Sequence, residues 1–172
     1  LEVDLQHWQN SETLYRRVLY YEPNSGIAYL NLGAYLYENS NSTEGIKMFE
    51  KAITVDPLQV LAYVHLAKDY EKQGNTQKAE EYHKKGVEAA GRRRVIGMSD
   101  LSPYYYYGEF LEKANRMTDA LEYFELAVEK GPHLAEPHFN LGLKYQKRQM
   151  HSQAYEALSK ATKLHKDYVP AM

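Results

Sequence analysis

The chain contains no cysteine. Disulfide staples and thiolate metal sites are therefore excluded, and no compartment is selected, because a chain that buries enough surface needs no staple anywhere. Long apolar runs are also missing: nothing approaches the roughly 18 residues that a bilayer-spanning helix requires. No cationic, apolar leader opens the sequence. Charge of one sign is lacking as well. With 21 Lys and Arg against 23 Asp and Glu, the formal net charge of −2 gives no long-range field favouring nucleic acid or an anionic membrane. Phe and Trp are scarce, at 4 and 1, whereas Tyr reaches 17. Tyrosine joins a large apolar ring to a polar tip, which suits half-buried positions where helices meet or a ligand lies. Motifs that carry chemistry are absent too. There is no H-E-x-x-H, no glycine-rich phosphate loop and no serine in a nucleophile elbow. The seven His do not share one helix face at ligand spacing: His133 and His138 flank a turn, and His65 and His83 fall on different helices. They read as surface or helix-packing residues. No catalysis, cofactor or metal is expected of this chain.

What the sequence does have is a period. Tyr29-Leu30-Asn31-Leu32-Gly33, Tyr63-Val64-His65-Leu66-Ala67, Tyr104-Tyr105-Tyr106-Tyr107-Gly108 and His138-Phe139-Asn140-Leu141-Gly142 each run from a ring to a small residue. Twelve positions later comes a second small residue, at Gly45, Ala79, Ala120 and Ala154. Seven further on comes a third, at Ala52, Gly86, Ala127 and Ala161. The interval is 34 residues, with one of 41 between Ala67 and Gly108. Spacings of three and four place these residues on one helical stripe. The small residues let two helices approach, and a ring or Leu fills the gap they leave.

A 34-residue period of paired helices with this pattern resembles the tetratricopeptide repeat (TPR). The TPR pattern asks for W/Y-x-x-L-G-x-x-Y, then A-x-x-x-F-x-x-A, then Pro. Residues 26–59 match with Tyr29, Leu32, Gly33, Leu36, Gly45, Phe49, Ala52 and Pro57; residues 101–134 match with Tyr104, Tyr107, Gly108, Leu111, Ala120, Phe124, Ala127 and Pro132. Residues 135–168 follow with His138, Leu141, Gly142, Tyr145, Ala154, Leu158 and Ala161. Residues 60–93 match least, with His83 at an aromatic position, Gly86 inside the second helix and Gly91 where Pro is usual. The resemblance implies an all-α fold: a right-handed superhelical solenoid of antiparallel helix hairpins, each buried only against its neighbours. It implies a protein-binding surface and no reaction centre.

Between these repeats and at the ends, the phase makes further predictions. Lys72-Gln73-Gly74-Asn75 is a helix stop and turn. Ser102 before Pro103 reads as a cap followed by Pro at the first helical position. The seven extra residues at 94–100 are assigned to a longer second helix fraying into a loop. Residues 1–25 read as the second helix of a preceding repeat, with Tyr15, Val18 and Pro23 in phase and Trp8 ahead of it. Residues 169–172 read as the start of another first helix. With no initiator Met, the chain is expected to be cut from a longer protein inside repeats at both ends. Exposed repeat ends then invite contact with a second copy.

By the same resemblance the first helices line a concave groove for a protein or peptide. Its expected residues are Leu30, Asn31 and Tyr37; His65 and Lys68; Tyr105, Tyr106 and Glu109; and Phe139, Asn140 and Lys147. Asn31 and Asn140 sit where related TPR proteins hold peptide backbone, an amide offering both donor and acceptor. Tyr105, Tyr106 and Phe139 are candidates to stack on Pro or aromatic side chains. The Lys, Asn and Arg clamp that holds acidic chaperone tails is absent, because Leu30, Ala34, His65, Ser102, Tyr106 and Glu136 occupy the matching positions. Arg92-Arg93-Arg94 is a candidate anion patch, set against the plainer role of cations near a helix C-terminus.

Two other readings accompany the scaffold. Residues Leu5 to Arg16, then Glu22-Pro23-Asn24 and Ala28 to Gly33, are similar to the junction where multi-pass membrane glycosyltransferase-like proteins enter their C-terminal TPR region. That resemblance implies a recruiting arm on the non-cytoplasmic side, with the catalytic residues upstream. The alternative is a self-assembling TPR coat or scaffold.

Overall fold

A computed structural model describes residues 11–39, 41–93 and 97–168, and among these every regular element is an α-helix. The chain divides into two compact units at Arg92–Arg93. The first holds α1 (Ser11–Tyr21), α2 (Gly26–Glu38), α3 (Ser42–Val55), α4 (Val60–Lys72) and α5 (Thr76–Gly91). The second holds α6 (Met98–Lys113), α7 (Met117–Lys130), α8 (Ala135–Lys147) and α9 (His151–Tyr168). Helices adjacent in sequence pair within each unit, α2 with α3, α4 with α5, α6 with α7 and α8 with α9. In the first unit α1 packs on α2, where Tyr15 and Leu19 meet Leu32, Leu36 and Met48. Trp8 and residues 169–172 lie outside the described residues.

The turns inside the hairpins share one chemistry. Where the first helix ends, the N–H of Asn41, Asn75, Arg116 and Met150 donates to the carbonyl five residues back, at 2.9–3.0 Å. The preceding residue takes a left-handed conformation in three of these turns: Gly74 at φ 73°, Asn115 at 59° and Gln149 at 60°. This is the Schellman closure, which satisfies carbonyls the helix leaves orphaned. The next helix starts at once, and Asn41 and Asn75 accept from the N–H of Glu44 and Lys78. Gln149 is the strained member of the set. Left-handed backbone costs a side-chain-bearing residue about 1–2 kcal/mol, and glycine gives back about 0.5–1 kcal/mol of that as chain entropy. Gln149→Gly is therefore expected to raise stability by about 0.5 kcal/mol in urea unfolding, with a smaller gain for the more tolerant Asn115.

The small-for-large interlock sets the closeness of each hairpin. A Cβ on Gly33 would fall 2.8 Å from the Phe49 ring, one on Gly108 2.8 Å from the Phe124 ring, and one on Gly142 2.7 Å from Leu158. Gly45 is tighter, since its Cβ would meet the Gly33 carbonyl oxygen and the Tyr37 nitrogen, both at 2.8 Å. The rings so admitted are fully buried: Phe49 is 0% exposed and Phe124 2%. Burying such a side chain contributes roughly 1.5–3 kcal/mol.

Two local expectations are corrected. Helix α6 begins at Met98, so part of the extra length extends the following helix rather than only the preceding one. Gly97, not Ser102, is its N-cap, and the Gly97 N–H donates to Asp100 Oδ2 at 2.8 Å. Pro103 consequently lies inside the helix, where it lacks the N–H of a normal turn. Asp100 is the reason, because its carboxylate caps a turn earlier than the Ser-Pro pair would. His83 fills its aromatic position by burying its ring, 1% exposed, with Nε2 2.9 Å from Glu71 Oε1. That hydrogen-bond contact takes the place of a ring-on-ring contact at this position.

Candidate functional site: the first-helix faces

In the first unit the candidate residues sit on α2 and α4. Asn31 is half-buried, and its side-chain amide has no hydrogen-bond partner among the described residues. Tyr37 is not free to stack on a ligand. Its hydroxyl donates to Asp69 Oδ1 at 3.0 Å and accepts from Lys72 Nζ at 2.8 Å, and the same ammonium lies 4.6 Å from the ring centroid. Asp69, 8% exposed, also accepts from Gln73 Nε2. A buried carboxylate needs such partners to stay in the interior. Sequence reasoning misses Asp69, which reads as one more charge on a polar face. The available signal is its spacing, three before Lys72 and four before Gln73. Leu30, expected in the groove, is 7% exposed and packs with Phe49, Ala52, Ala62 and Leu66.

His65 lies flat on Phe49, with centroids 4.5 Å apart and ring planes 4° from parallel. Burial pushes its pKa down from the ordinary value, and Lys68 and then Lys72 add to the effect, against an upward pull from Glu38. A depressed histidine pKa means that the folded chain binds fewer protons than the unfolded one. The associated stability is full above the unfolded pKa near 6.5 and is lost as pH falls through the lower folded value. His65→Phe keeps the stack and removes the titration. Its unfolding free energy is expected to fall less than that of the wild type between neutral and acid pH, read from urea curves at several pH values.

The second unit holds the better-formed feature. Helices α6, α7 and α8 enclose a recess of about 170 Å³ that is lined by Tyr105, Tyr106, Asn140, Glu136 and Ser102, with Phe124 also among its walls. The Tyr105 hydroxyl donates to Glu109 Oε1 at 2.8 Å. Burial first, and that carboxylate second, push the Tyr105 pKa well up, so the phenol stays protonated. Tyr105 and Tyr106 meet edge to face at 5.4 Å, and Tyr105 and Phe124 are tilted at 5.7 Å. Lys144 lies 4.6 Å from the Phe124 centroid and donates to Glu112 Oε2 at 2.6 Å. Lys147, 68% exposed, stands 3.8 Å from Glu112 Oε1. The Asn140 amide has no hydrogen-bond partner among the described residues, as for Asn31.

Phe139 does not join Tyr105 and Tyr106. It is 49% exposed and lines an adjoining open hollow with Ala161, Thr162 and His165 of α9, the two hollows sharing Glu136. One residue of helical rotation from Asn140, about 100°, accounts for the separation. The expected anion patch is also altered. Arg92 is bound to Glu88 one helical turn back, and Arg93 Nε lies 2.7 Å from Asp100 Oδ1. Arg94 lies outside the described residues. Asn31 belongs to the first unit and Asn140 to the second. No described helix is long and apolar enough to cross a membrane.

Comparison with known proteins agrees with this geometry. Two tetratricopeptide repeat models match, at residues 27–57 and 101–135. The chain thus contains TPR repeats in a helical solenoid fold. It is similar to the Macaca fascicularis protein named antiviral innate immune response effector IFIT1, at 25% identity over 159 residues, covering 84% of this chain. The chain spans about a third of that relative, 33% of its length. Among solved structures it resembles MamA, with a TM-score of 0.63 and 18% identity over 93% of this chain and 90% of that one. It resembles MamA 41-end from Desulfovibrio magneticus RS-1 similarly, with a TM-score of 0.62 and 17% identity over 93% of this chain and 98% of that one. It also resembles a chain of the APC/C hetero-tetramer Cut9-Hcn1, with a TM-score of 0.65 and 17% identity over 94% of this chain and 30% of that one. At these identities the structures establish the fold alone. None of these proteins is named as a membrane glycosyltransferase.

Proposed function

We propose that this chain is a non-enzymatic scaffold whose second unit binds an extended segment of a partner protein across the α6–α8 recess. The observation that carries this reading is the Asn140 amide. It is half-buried among Tyr105, Tyr106 and Phe124 with its donor and acceptor both unused. A polar group in that setting gains from a partner that supplies a backbone C=O and N–H. A recess of 170 Å³ is too small for a typical small-molecule site, at roughly 300–1,000 Å³, and suits one side chain of a peptide. Main-chain hydrogen bonds joined to a pocket for one side chain are a recurring mode of peptide recognition.

The test is a display selection of peptides against the full chain, followed by calorimetry. Asn140→Ala is expected to weaken a selected peptide about tenfold, as for loss of one hydrogen bond to a desolvated group. Tyr155→Ala, on the exposed face of α9, is expected to leave the affinity unchanged. Equal affinity for wild type and Asn140→Ala across all selected peptides removes the proposal.

A further inference from the structure

We infer that the side chain this recess takes is cationic, a lysine or arginine of the bound segment; the inference rests on the peptide-binding reading above. The argument is electrostatic. Among the described residues that line the recess, Glu136 is the one charged side chain, and no Lys, Arg or His is among them. Glu136 is exposed at the start of α8, and no salt bridge or hydrogen bond ties its carboxylate down among the described residues. A second carboxylate, Glu109, is reached through the Tyr105 hydroxyl. The Lys144 ammonium lies 4.6 Å from the Phe124 centroid and 5.7 Å from that of Tyr105, outside the lining, and is committed to Glu112 at 2.6 Å.

The walls fit the same occupant. Tyr105 and Tyr106 present half-buried rings above the buried Phe124, and aromatic faces attract an ammonium or guanidinium while accepting its methylene stem. The available 170 Å³ takes one long unbranched side chain. An acidic side chain would meet Glu136 with nothing to compensate it. A neutral aliphatic one would leave that carboxylate partly desolvated with no counter-charge.

The experiment uses the full chain and four nonapeptide pools, randomised except for a central Lys, Arg, norleucine or Glu. Norleucine matches the lysine stem without its charge. Binding is read by fluorescence polarisation, and the Asn140 side-chain amide is followed by 15N NMR. The expected result is at least tenfold tighter binding of the Lys or Arg pool than of the norleucine pool, with the Asn140 signals moving. Glu136→Gln is expected to cut that preference to threefold or less. Glu136→Lys is expected to favour the Glu pool, with helix content unchanged by circular dichroism. If the norleucine pool binds as well as Lys and Arg and still moves Asn140, the cation preference is wrong while the peptide site stands. If no pool moves the Asn140 signals, the site itself is wrong and this inference falls with it.

Discussion

Gly45→Ala lowers the stability of the chain by about 3 kcal/mol, the largest effect expected of any single methyl group added to it. Overfilling a well-packed interior typically costs about 1–3 kcal/mol, because side chains move to make room. At Gly45 the obstacles are the Gly33 carbonyl oxygen and the Tyr37 nitrogen, each 2.8 Å from the new Cβ, and backbone cannot move without separating α2 from α3. Separation would loosen Phe49, Leu30 and Leu66 together. The substitution is otherwise favourable, since alanine is the better helix former by about 1 kcal/mol. Ala79, Ala120 and Ala154 occupy the equivalent position elsewhere, so alanine itself is acceptable to the motif. Urea unfolding is the measurement. A Gly45→Ala protein within 1 kcal/mol of wild type, a bound set by that propensity difference of about 1 kcal/mol, contradicts the interlock.

The second large effect is at Phe124, which joins the fold to the recess. Phe124→Ala is expected to cost about 4 kcal/mol, in the range for emptying a buried aromatic position. The ring is 2% exposed and is the contact that excludes a side chain at Gly108. The two positions should therefore be coupled. Gly108→Ala alone forces a Cβ to 2.8 Å from the ring, whereas combined with Phe124→Ala the same methyl refills part of the hole. The double variant is expected to be about 1 kcal/mol more stable than the sum of the singles. Strict additivity would mean that the small and large residues do not interlock. Because Phe124 also walls the recess, Phe124→Ala is expected to weaken a peptide that Asn140 holds, even when assayed where the chain remains folded.

Much of the fold is legible in the sequence because it is written in volumes. Gly33 and Gly45, Ala67 and Ala79, and Gly108 and Ala120 recur at twelve residues because helix length and turn length are fixed by the same closure. A turn that must go left-handed betrays itself at Gly74, but Gln149 carries no such mark, and only the period locates it. Polar partnerships are not legible. Nothing in the spacing says that Asp100 caps Gly97 and also holds Arg93, so sequence alone starts α6 too late and leaves Arg93 open to anions. Tyr37 and Asp69 are 32 residues apart and meet only because α2 and α4 stack. The phase that puts Tyr105, Tyr106 and Asn140 on first helices corresponds to their lining one recess in the second unit. The phase does not show that Leu30 packs into the core of the first unit or that Phe139 lines the neighbouring hollow. Single-residue rotation about a helix exceeds what a repeat pattern specifies, whereas burial in the stripe does not.

The most direct test is a crystal structure of the full chain with a display-selected peptide bound. The expected structure has the peptide main chain hydrogen-bonded to the Asn140 amide, with one long cationic side chain lying against Tyr105 and Tyr106 and its charge facing Glu136. A peptide seated on α9 around Tyr155, with Asn140 left as it is in the free chain, would contradict the account.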